Sequence, residues 1–91
     1  MTTYRVTVVC KGLDEVEGAA AVADVVEEFQ FRPWHTDVSC TWADGELLLA
    51  ATNDYDDDGM ALYDEFWDAV HARVNYKGSI NLSVVSVREL S

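Results

Sequence analysis

The dipeptide Asp44-Gly45 is the feature that most constrains the fold, because it stands between two segments that alternate in hydrophobicity. Segments 34–43 and 46–52 both show the period of two that is typical of β-strands. An Asp-Gly pair between two such segments predicts a two-residue hairpin turn of type I′, in which both central residues have positive φ. The middle of the chain is therefore expected to form a tight antiparallel hairpin.

Four further segments have a clear periodicity. Residues 4–11 and 79–89 alternate like strands, whereas residues 14–31 and 60–76 carry apolar side chains three and four positions apart, as amphipathic helices do. The pair Val84-Val85 breaks the alternation of the last strand and predicts a β-bulge there. The expected element order is strand, helix, strand, strand, helix, strand.

This order predicts an α+β fold of the ferredoxin-like type, a split βαβ plait. Both helices would cover one face of a four-stranded antiparallel sheet, and right-handed crossovers would place the first and third strands in the middle. The chain has 91 residues, which is the size of one small domain. We therefore expect a single acidic domain over residues 1–91.

The charge balance restricts the partners of the protein. Seventeen acidic residues oppose six basic ones, so the net charge is −11. Such a surface repels phosphate backbones and anionic lipids, so neither nucleic acid nor membrane is an expected partner. The longest apolar run, Leu47 to Ala51, is too short for a membrane span, and the first residues resemble a strand rather than a signal peptide. These features favour a cytoplasmic protein.

An acidic segment at residues 53–59 fits the pattern D-x-D-x-D-G-x5-E of a calcium-binding loop. In that interpretation Gly59 makes the turn and the ion is held by Asp54, Asp56, Asp58, the Met60 carbonyl group and Glu65. A strand precedes the segment, however, where an EF-hand has a helix, and Leu62 offers no oxygen at the ninth position. The alternative is that Asp56, Asp57 or Asp58 caps the second helix.

Catalytic patterns are weak in this sequence. His35 and Asp37 are two positions apart on the second strand and are expected on the open face of the sheet. His71 is predicted to lie with Asp64 and Asp68 on the outer face of the second helix, at a spacing that suits a metal but is more typical of a solvated surface. The sequence has neither a nucleophile elbow nor a glycine-rich phosphate loop, and both cysteines are expected to be buried. We therefore expect no enzymatic activity.

The sheet face that the helices leave open is predicted to carry a moderately apolar patch. Its members are Val9, Leu48, Val85 and Val87. Patches of this kind mark surfaces for a protein partner or for a second copy of the chain. The strand and helix order, with the turn Gly12-Leu13-Asp14, is similar to that of small-molecule-binding regulatory domains of the ACT type, which implies a homodimer. The acylphosphatase type has a similar topology, but its basic phosphate-binding turn is missing from residues 10–18.

These observations lead to one functional hypothesis and two alternatives. The first is a non-catalytic, acidic protein-binding domain, such as an inhibitor or immunity-type protein, which engages a basic surface of its partner. The alternatives are a calcium-binding domain that uses the loop Asp54–Glu65 and a homodimeric regulatory domain that binds a small molecule. No other cofactor is expected. The acidity also suits a high-salt environment. The residues expected at a protein interface are Asp54, Asp56, Asp57, Asp58, Asp64 and Asp68, together with the apolar patch on the sheet.

Overall fold

The computed structural model describes residues 2–90 and confirms the predicted α+β plait. The elements in chain order are β1 (Tyr4–Lys11), α1 (Glu15–Phe29), β2 (Thr36–Ala43), β3 (Glu46–Asn53), α2 (Met60–Arg73) and β4 (Asn81–Glu89). The four-stranded sheet has the order β2-β3-β1-β4, and every neighbouring pair in it is antiparallel. The strands β1 and β3 lie in the middle, as the crossover rule requires.

One hydrophobic core lies between the sheet and the two helices. The alternate side chains of β1 and β3 enter it from the sheet, and the largest buried side chain is Phe66 of α2. From α1 the core receives Ala21, Val25 and Phe29, which recur at helical spacing. None of the helices in residues 2–90 has the length and apolarity needed to cross a bilayer.

Helix α1 begins at a complete capping box. The Asp14 carboxylate accepts a hydrogen bond from the backbone amide of Glu17 at 2.7 Å, and the Glu17 side chain accepts one from the Asp14 amide at 2.9 Å. One turn later, Gly18 lies directly against the Trp42 ring of β2, where a Cβ atom would fall 2.2 Å from the indole. Gly18 therefore lowers the helix propensity of α1, but its lack of a side chain leaves space for the Trp42 ring.

The hairpin between β2 and β3 has the predicted type I′ turn. Asp44 and Gly45 have φ values of 53° and 76°, and Ala43 pairs with Glu46 across the turn. The strand β2 itself is shorter than expected, because it begins at Thr36 rather than at Trp34. An irregularity between Thr36 and Ser39, where Asp37 has a φ of 49°, interrupts the alternation near the start of β2.

Strand β4 contains the predicted bulge. Val84 pairs with Val8 and Ser86 pairs with Thr7, so Val85 is the extra residue. The extra residue shifts the alternation by one position, so Val87 faces the core as Val84 does and lies opposite the fully buried Val6. The prediction that Val87 faces the open side of the sheet is therefore wrong, because it continued the alternation from Val85 without the shift that the bulge introduces.

The helices end earlier than the periodicity predicted. Helix α1 stops at Phe29 rather than Phe31, and α2 stops at Arg73 rather than Tyr76. Val74 continues the apolar spacing of α2 but has an extended backbone, with φ −100° and ψ 125°. Its side chain still packs against the core, so the apolar pattern extends one residue beyond the end of the helix.

Candidate functional site

The acidic segment between β3 and α2 organises the start of the helix. Asp56 is only 3% exposed, and its two carboxylate oxygens accept hydrogen bonds from the backbone amides of Ala61 and Leu62 at 3.1 and 2.9 Å. Asp58 accepts one from the Met60 amide at 3.0 Å. These bonds satisfy amides that a helix start leaves without partners, and they place negative charge at its positive end. The capping interpretation of this segment is confirmed.

Asn53 and Gly59, the N-cap residue of α2, shape the turn that leads into the helix. The side-chain oxygen of Asn53 accepts hydrogen bonds from the amides of Tyr55 and Asp56, at 3.1 and 2.8 Å. Gly59 then has a φ of 80° and leads directly into Met60, the first helical residue. A Cβ atom at Gly59 would lie 2.8 Å from the Val84 side chain, so both backbone conformation and space favour glycine there.

The predicted calcium ligands are used differently in this structure. Asp56 is bound to the helix amides, Glu65 binds side chains of the α1–β2 connection, and Asp54 is exposed. Within residues 2–90, no group of three or more His, Cys, Asp or Glu side chains is arranged to hold a metal ion. Calcium binding at this loop stays a prediction, and it would require Asp56 and Glu65 to leave their present partners.

Glu65 of α2 and the buried His35 form a partly buried polar pair that the sequence did not predict. The distance from His35 Nε2 to Glu65 Oε2 is 2.8 Å, and the His35 side chain has no solvent exposure. Phe29 lies beside the imidazole, with the two ring centroids 5.6 Å apart. The prediction that His35 shares the open sheet face with Asp37 is therefore wrong. The irregular start of β2 releases His35 from the strand alternation, so it turns toward α2.

The hydrogen bonds around His35 fix its tautomer. The oxygen of the Asn53 amide already accepts two backbone hydrogen bonds, so its nitrogen faces His35 Nδ1, at 3.3 Å. Nδ1 must then be the acceptor, and the imidazole proton is on Nε2, which donates to Glu65. A continuous chain of donors therefore runs from Asn53 through His35 to Glu65.

Glu65 also receives three other donors. Arg32 Nε is 3.2 Å from Oε1, Trp34 Nε1 is 3.1 Å from Oε1, and the Tyr55 hydroxyl group is 3.4 Å from Oε2. Partial burial, reinforced by the negative charges of Glu65 and Asp56, raises the pKa of Tyr55 to about 12. The phenol thus stays protonated and remains a donor at neutral pH.

The outer sides of this cluster are aromatic and exposed. Trp34 and Tyr55 are 50% and 47% exposed, and both ring centroids lie 6.1 Å from that of His35. We define the acidic–aromatic surface as Trp34 and Tyr55 together with the exposed acids Asp54, Asp57 and Asp58. Beneath it, the Glu65 hydrogen bonds hold the two aromatic side chains in place.

The chemical capacity of the cluster follows from these contacts. Both His35 nitrogens are engaged and shielded from solvent, and Glu65 accepts from four different side chains. A general acid or base must instead reach the proton of a bound substrate. The arrangement orders a loop and presents two aromatic rings to solvent.

The other predicted interface residues occupy different environments. Asp64 and Asp68 are exposed on the outer side of α2, as is His71. On the sheet, Val9 is only 4% exposed, Leu48 is half-buried and Val85 is 56% exposed. With Val87 turned toward the core, the four residues do not form one continuous exposed patch. Dimerisation through this face stays a prediction.

The sequence did contain a signal for the Glu65 cluster. Glu65 lies three residues after Leu62 and four before Ala69, both of which are buried, so its carboxylate borders the inner stripe of α2. A carboxylate in that position requires donors, and Arg32 and His35 are separated from it by about 30 residues of sequence.

Comparison with known proteins adds no assignment, because the chain matches no protein-family model and no curated protein sequence.

Proposed function

We propose that this protein is a non-catalytic binding domain whose acidic–aromatic surface engages a basic surface of a partner protein. The observation that carries the proposal is the presence of exposed, unpaired acids around two ordered aromatic side chains. Within the described residues, no ion pair involves Asp54, Asp57, Asp58, Asp64 or Asp68. A basic partner would supply the missing counter-charges.

The negative charge is concentrated on one side of the molecule. Segments 14–35 and 54–77, which contain both helices and their flanking loops, hold thirteen of the seventeen acids but only three of the six bases. Arg73 is already neutralised by Asp24, Glu27 and Glu28, and Arg32 by Glu65 and Glu28. The hydrogen bonds with Glu27 and Glu28 raise the pKa of Arg73 still further. The remaining acids therefore create a field that attracts cations.

The aromatic residues supply binding energy that charge alone does not provide. Tryptophan and tyrosine are enriched among the residues that dominate binding energy at interfaces, and polar rims around them exclude water. Trp34 and Tyr55 are held by Glu65 before any partner arrives, so little conformational entropy is lost on binding. We expect the charges to control the association rate and the aromatic rings to control dissociation.

The test is affinity capture with two matched variants. The first changes Asp54, Asp57 and Asp64 to asparagine on the acidic side. The second removes the same charge on the sheet side, through Asp37→Asn, Asp44→Asn and Glu89→Gln. Captured proteins are identified by mass spectrometry, purified, and measured by calorimetry at low and high salt.

We expect a basic protein that binds the wild type and the sheet-side variant, and that binds the acidic-side variant at least about tenfold more weakly. Raising the ionic strength from about 0.1 M to about 1 M shortens the Debye length from about 10 Å to about 3 Å and should weaken binding strongly. Partners that are neutral or acidic, with affinities that do not respond to salt, would contradict the proposal.

A further inference from the structure

A groove beside Trp34 lies at the edge of the acidic–aromatic surface. It has a volume of about 320 Å³, close to the lower limit for small-molecule sites, and so suits a single side chain. It forms where the N-terminal residues, the start of β2 and the end of β3 meet. The lining residues are Thr3, Trp34, Thr36, Thr52, Asn53 and Asp54.

The walls of the groove are held in place by hydrogen bonds. Trp34 is fixed through its indole N–H to Glu65 at 3.1 Å, and the Thr36 hydroxyl group donates to the Thr52 carbonyl group at 3.3 Å. Asn53 is buried and uses its amide oxygen and nitrogen on the acidic segment and on His35. The shape therefore exists before a ligand binds, which lowers the entropic cost of binding.

The chemistry of the lining favours a cation. Asp54 is the charged lining residue, it is exposed, and its carboxylate forms no ion pair within residues 2–90. Arg5 touches Thr52 Oγ1 at 3.1 Å but is not among the lining residues, and it also donates to the Asp37 carbonyl group. An indole ring attracts a nearby cation through the negative electrostatic potential of its π face. An aromatic wall and a free carboxylate thus occur in one groove.

Among biological cations, the guanidinium group fits this lining best. It is planar, it stacks on aromatic rings, and it is less strongly hydrated than an ammonium group. Its five N–H donors can bond a carboxylate and hydroxyl oxygens at the same time, which suits Asp54 together with the threonines at positions 3 and 36. A lysine ammonium group shares the charge but lacks the planar fork.

We propose that the groove beside Trp34 binds the guanidinium group of an arginine side chain on the partner protein. This inference rests on the proposed function and specifies where and how a basic partner is recognised. The arginine inserts between Trp34 and Asp54, while the surrounding acids attract the rest of the partner's basic surface.

The test uses three capped tripeptides, Gly-X-Gly, in which X is arginine, lysine or citrulline. Citrulline has nearly the shape of arginine but no charge. Binding to the full chain is followed by NMR, through the indole N–H of Trp34 and the backbone amide of Asp54. Each titration is repeated on Asp54→Asn, on Trp34→Leu, and on Asp57→Asn, which removes the same charge from an exposed residue outside the groove lining. The amide spectrum of each variant verifies that it is folded.

We expect saturable shifts with the arginine peptide, at least about threefold weaker binding of lysine and at least about tenfold weaker binding of citrulline. Asp54→Asn and Trp34→Leu should each weaken arginine binding about tenfold, and Asp57→Asn less than about twofold. Equal binding of citrulline and arginine, or equal loss in Asp54→Asn and Asp57→Asn, would overturn the inference. Equal binding of lysine would overturn the preference for guanidinium.

The two proposals fail in different ways. A basic partner whose affinity is unchanged by Asp54→Asn and by Trp34→Leu would remove the groove from the interface and leave the binding function intact. If the arginine peptide binds but affinity capture recovers no basic protein, the result would support the groove as a cation site and count against the proposed function.

Discussion

Glu65 shows how one carboxylate can organise a surface without belonging to it. Its two oxygens connect α2 to Arg32, Trp34 and His35 of the α1–β2 connection and to Tyr55 of the acidic segment. These are contacts between stretches of chain that no backbone ladder joins. The carboxylate is mostly buried, so its removal would leave the His35 Nε2 donor without an acceptor, and Arg32 with Glu28 alone, in a place that water reaches poorly.

We therefore expect Glu65→Ala to destabilise the protein by about 2 to 4 kcal/mol, because the buried His35 loses its acceptor and the partly buried Arg32 loses one of its two carboxylate partners. The matched control is Asp64→Ala, which removes an exposed neighbour with no ion pair and should change stability by less than about 0.5 kcal/mol. Thermal unfolding measures both, and a loss of 2 kcal/mol corresponds to a decrease of at least about 8 °C in Tm. Equal melting temperatures of the two variants would contradict this role of Glu65.

The thiols of Cys10 and Cys40 provide a second prediction for single residues. Burial raises the pKa of Cys10 to about 11, and burial together with the neighbouring Cys10 raises that of Cys40 to about 12. At pH 8 both thiols should react with a maleimide or disulfide reagent only at the rate of unfolding, and rapidly in denaturant. Fast reaction of either thiol in the native protein would contradict this burial.

The same pKa shifts determine a pH dependence. Because the folded-state pKa values exceed the ordinary value of 9.0, the buried neutral thiols favour the folded state below pH 9. This contribution declines between pH 9 and about 12, so the urea midpoint should fall in that range. Cys10→Ala/Cys40→Ala should show a smaller alkaline decrease than the wild type.

At the level of elements, the acidic segment contains a structural residue beside exposed residues that we propose for recognition. Asp56 is buried on the first amides of α2, whereas Asp57 beside it is exposed. The same residue type is therefore structural at one position and solvent-exposed at the next, and hydrogen bonds distinguish the two positions.

We expect Asp56→Ala to lower the free energy of unfolding by about 1 to 3 kcal/mol, because two helix amides lose their acceptor. Asp57→Ala should be neutral or slightly stabilising, since it only relieves repulsion. Urea unfolding gives both values. If Asp57→Ala were as costly as Asp56→Ala, the segment would depend on its total charge rather than on the cap.

The elements could be predicted from sequence wherever a local pattern determines them. Periodicity and the Asp44-Gly45 turn were sufficient for the element order, the strand order and the bulge in β4. Errors occurred at two places in particular. Val74 continues the helical spacing in an extended conformation, and Val87 faces the core because the bulge shifts the alternation by one position.

The site was less predictable because its contacts are distant in sequence. His35 and Glu65 are 30 positions apart, and Glu65 also fits a calcium-loop pattern that hid its role. The alternation of residues 34–43 predicted that His35 faces the open side of the sheet. The positive φ of Asp37, which interrupts this alternation, has no reliable signal in sequence. Most of the surface acids could be assigned from sequence, because carboxylates are usually exposed. The expectation that Asp56 also lies at an interface is wrong, because its carboxylate is buried on the first amides of α2.

Across the whole molecule, charge is segregated between the two layers. The strands and the hairpin turn carry four acids (Asp37, Asp44, Glu46 and Glu89) against three bases (Arg5, Lys11 and Arg88), so this side is nearly neutral. The helical side carries almost all of the net charge of −11. Like charges held close together repel one another, so the surface proposed to bind a partner also weakens the folded state in its absence.

This conflict predicts how stability responds to salt. In wild-type protein, raising the ionic strength from about 0.01 M to about 0.1 M shortens the Debye length from about 30 Å to about 10 Å and should raise Tm by several degrees. The variant with Asp54, Asp57 and Asp64 changed to asparagine should start with a higher Tm at low salt and gain less from added salt. The sheet-side variant, with Asp37→Asn, Asp44→Asn and Glu89→Gln, removes the same charge from a nearly balanced surface and should remain close to the wild type. Calorimetric scans of the three proteins compare these Tm values directly. If both variants had the same increase in Tm over the wild type at low salt, the repulsion would be spread evenly over the molecule and not concentrated on the helical side.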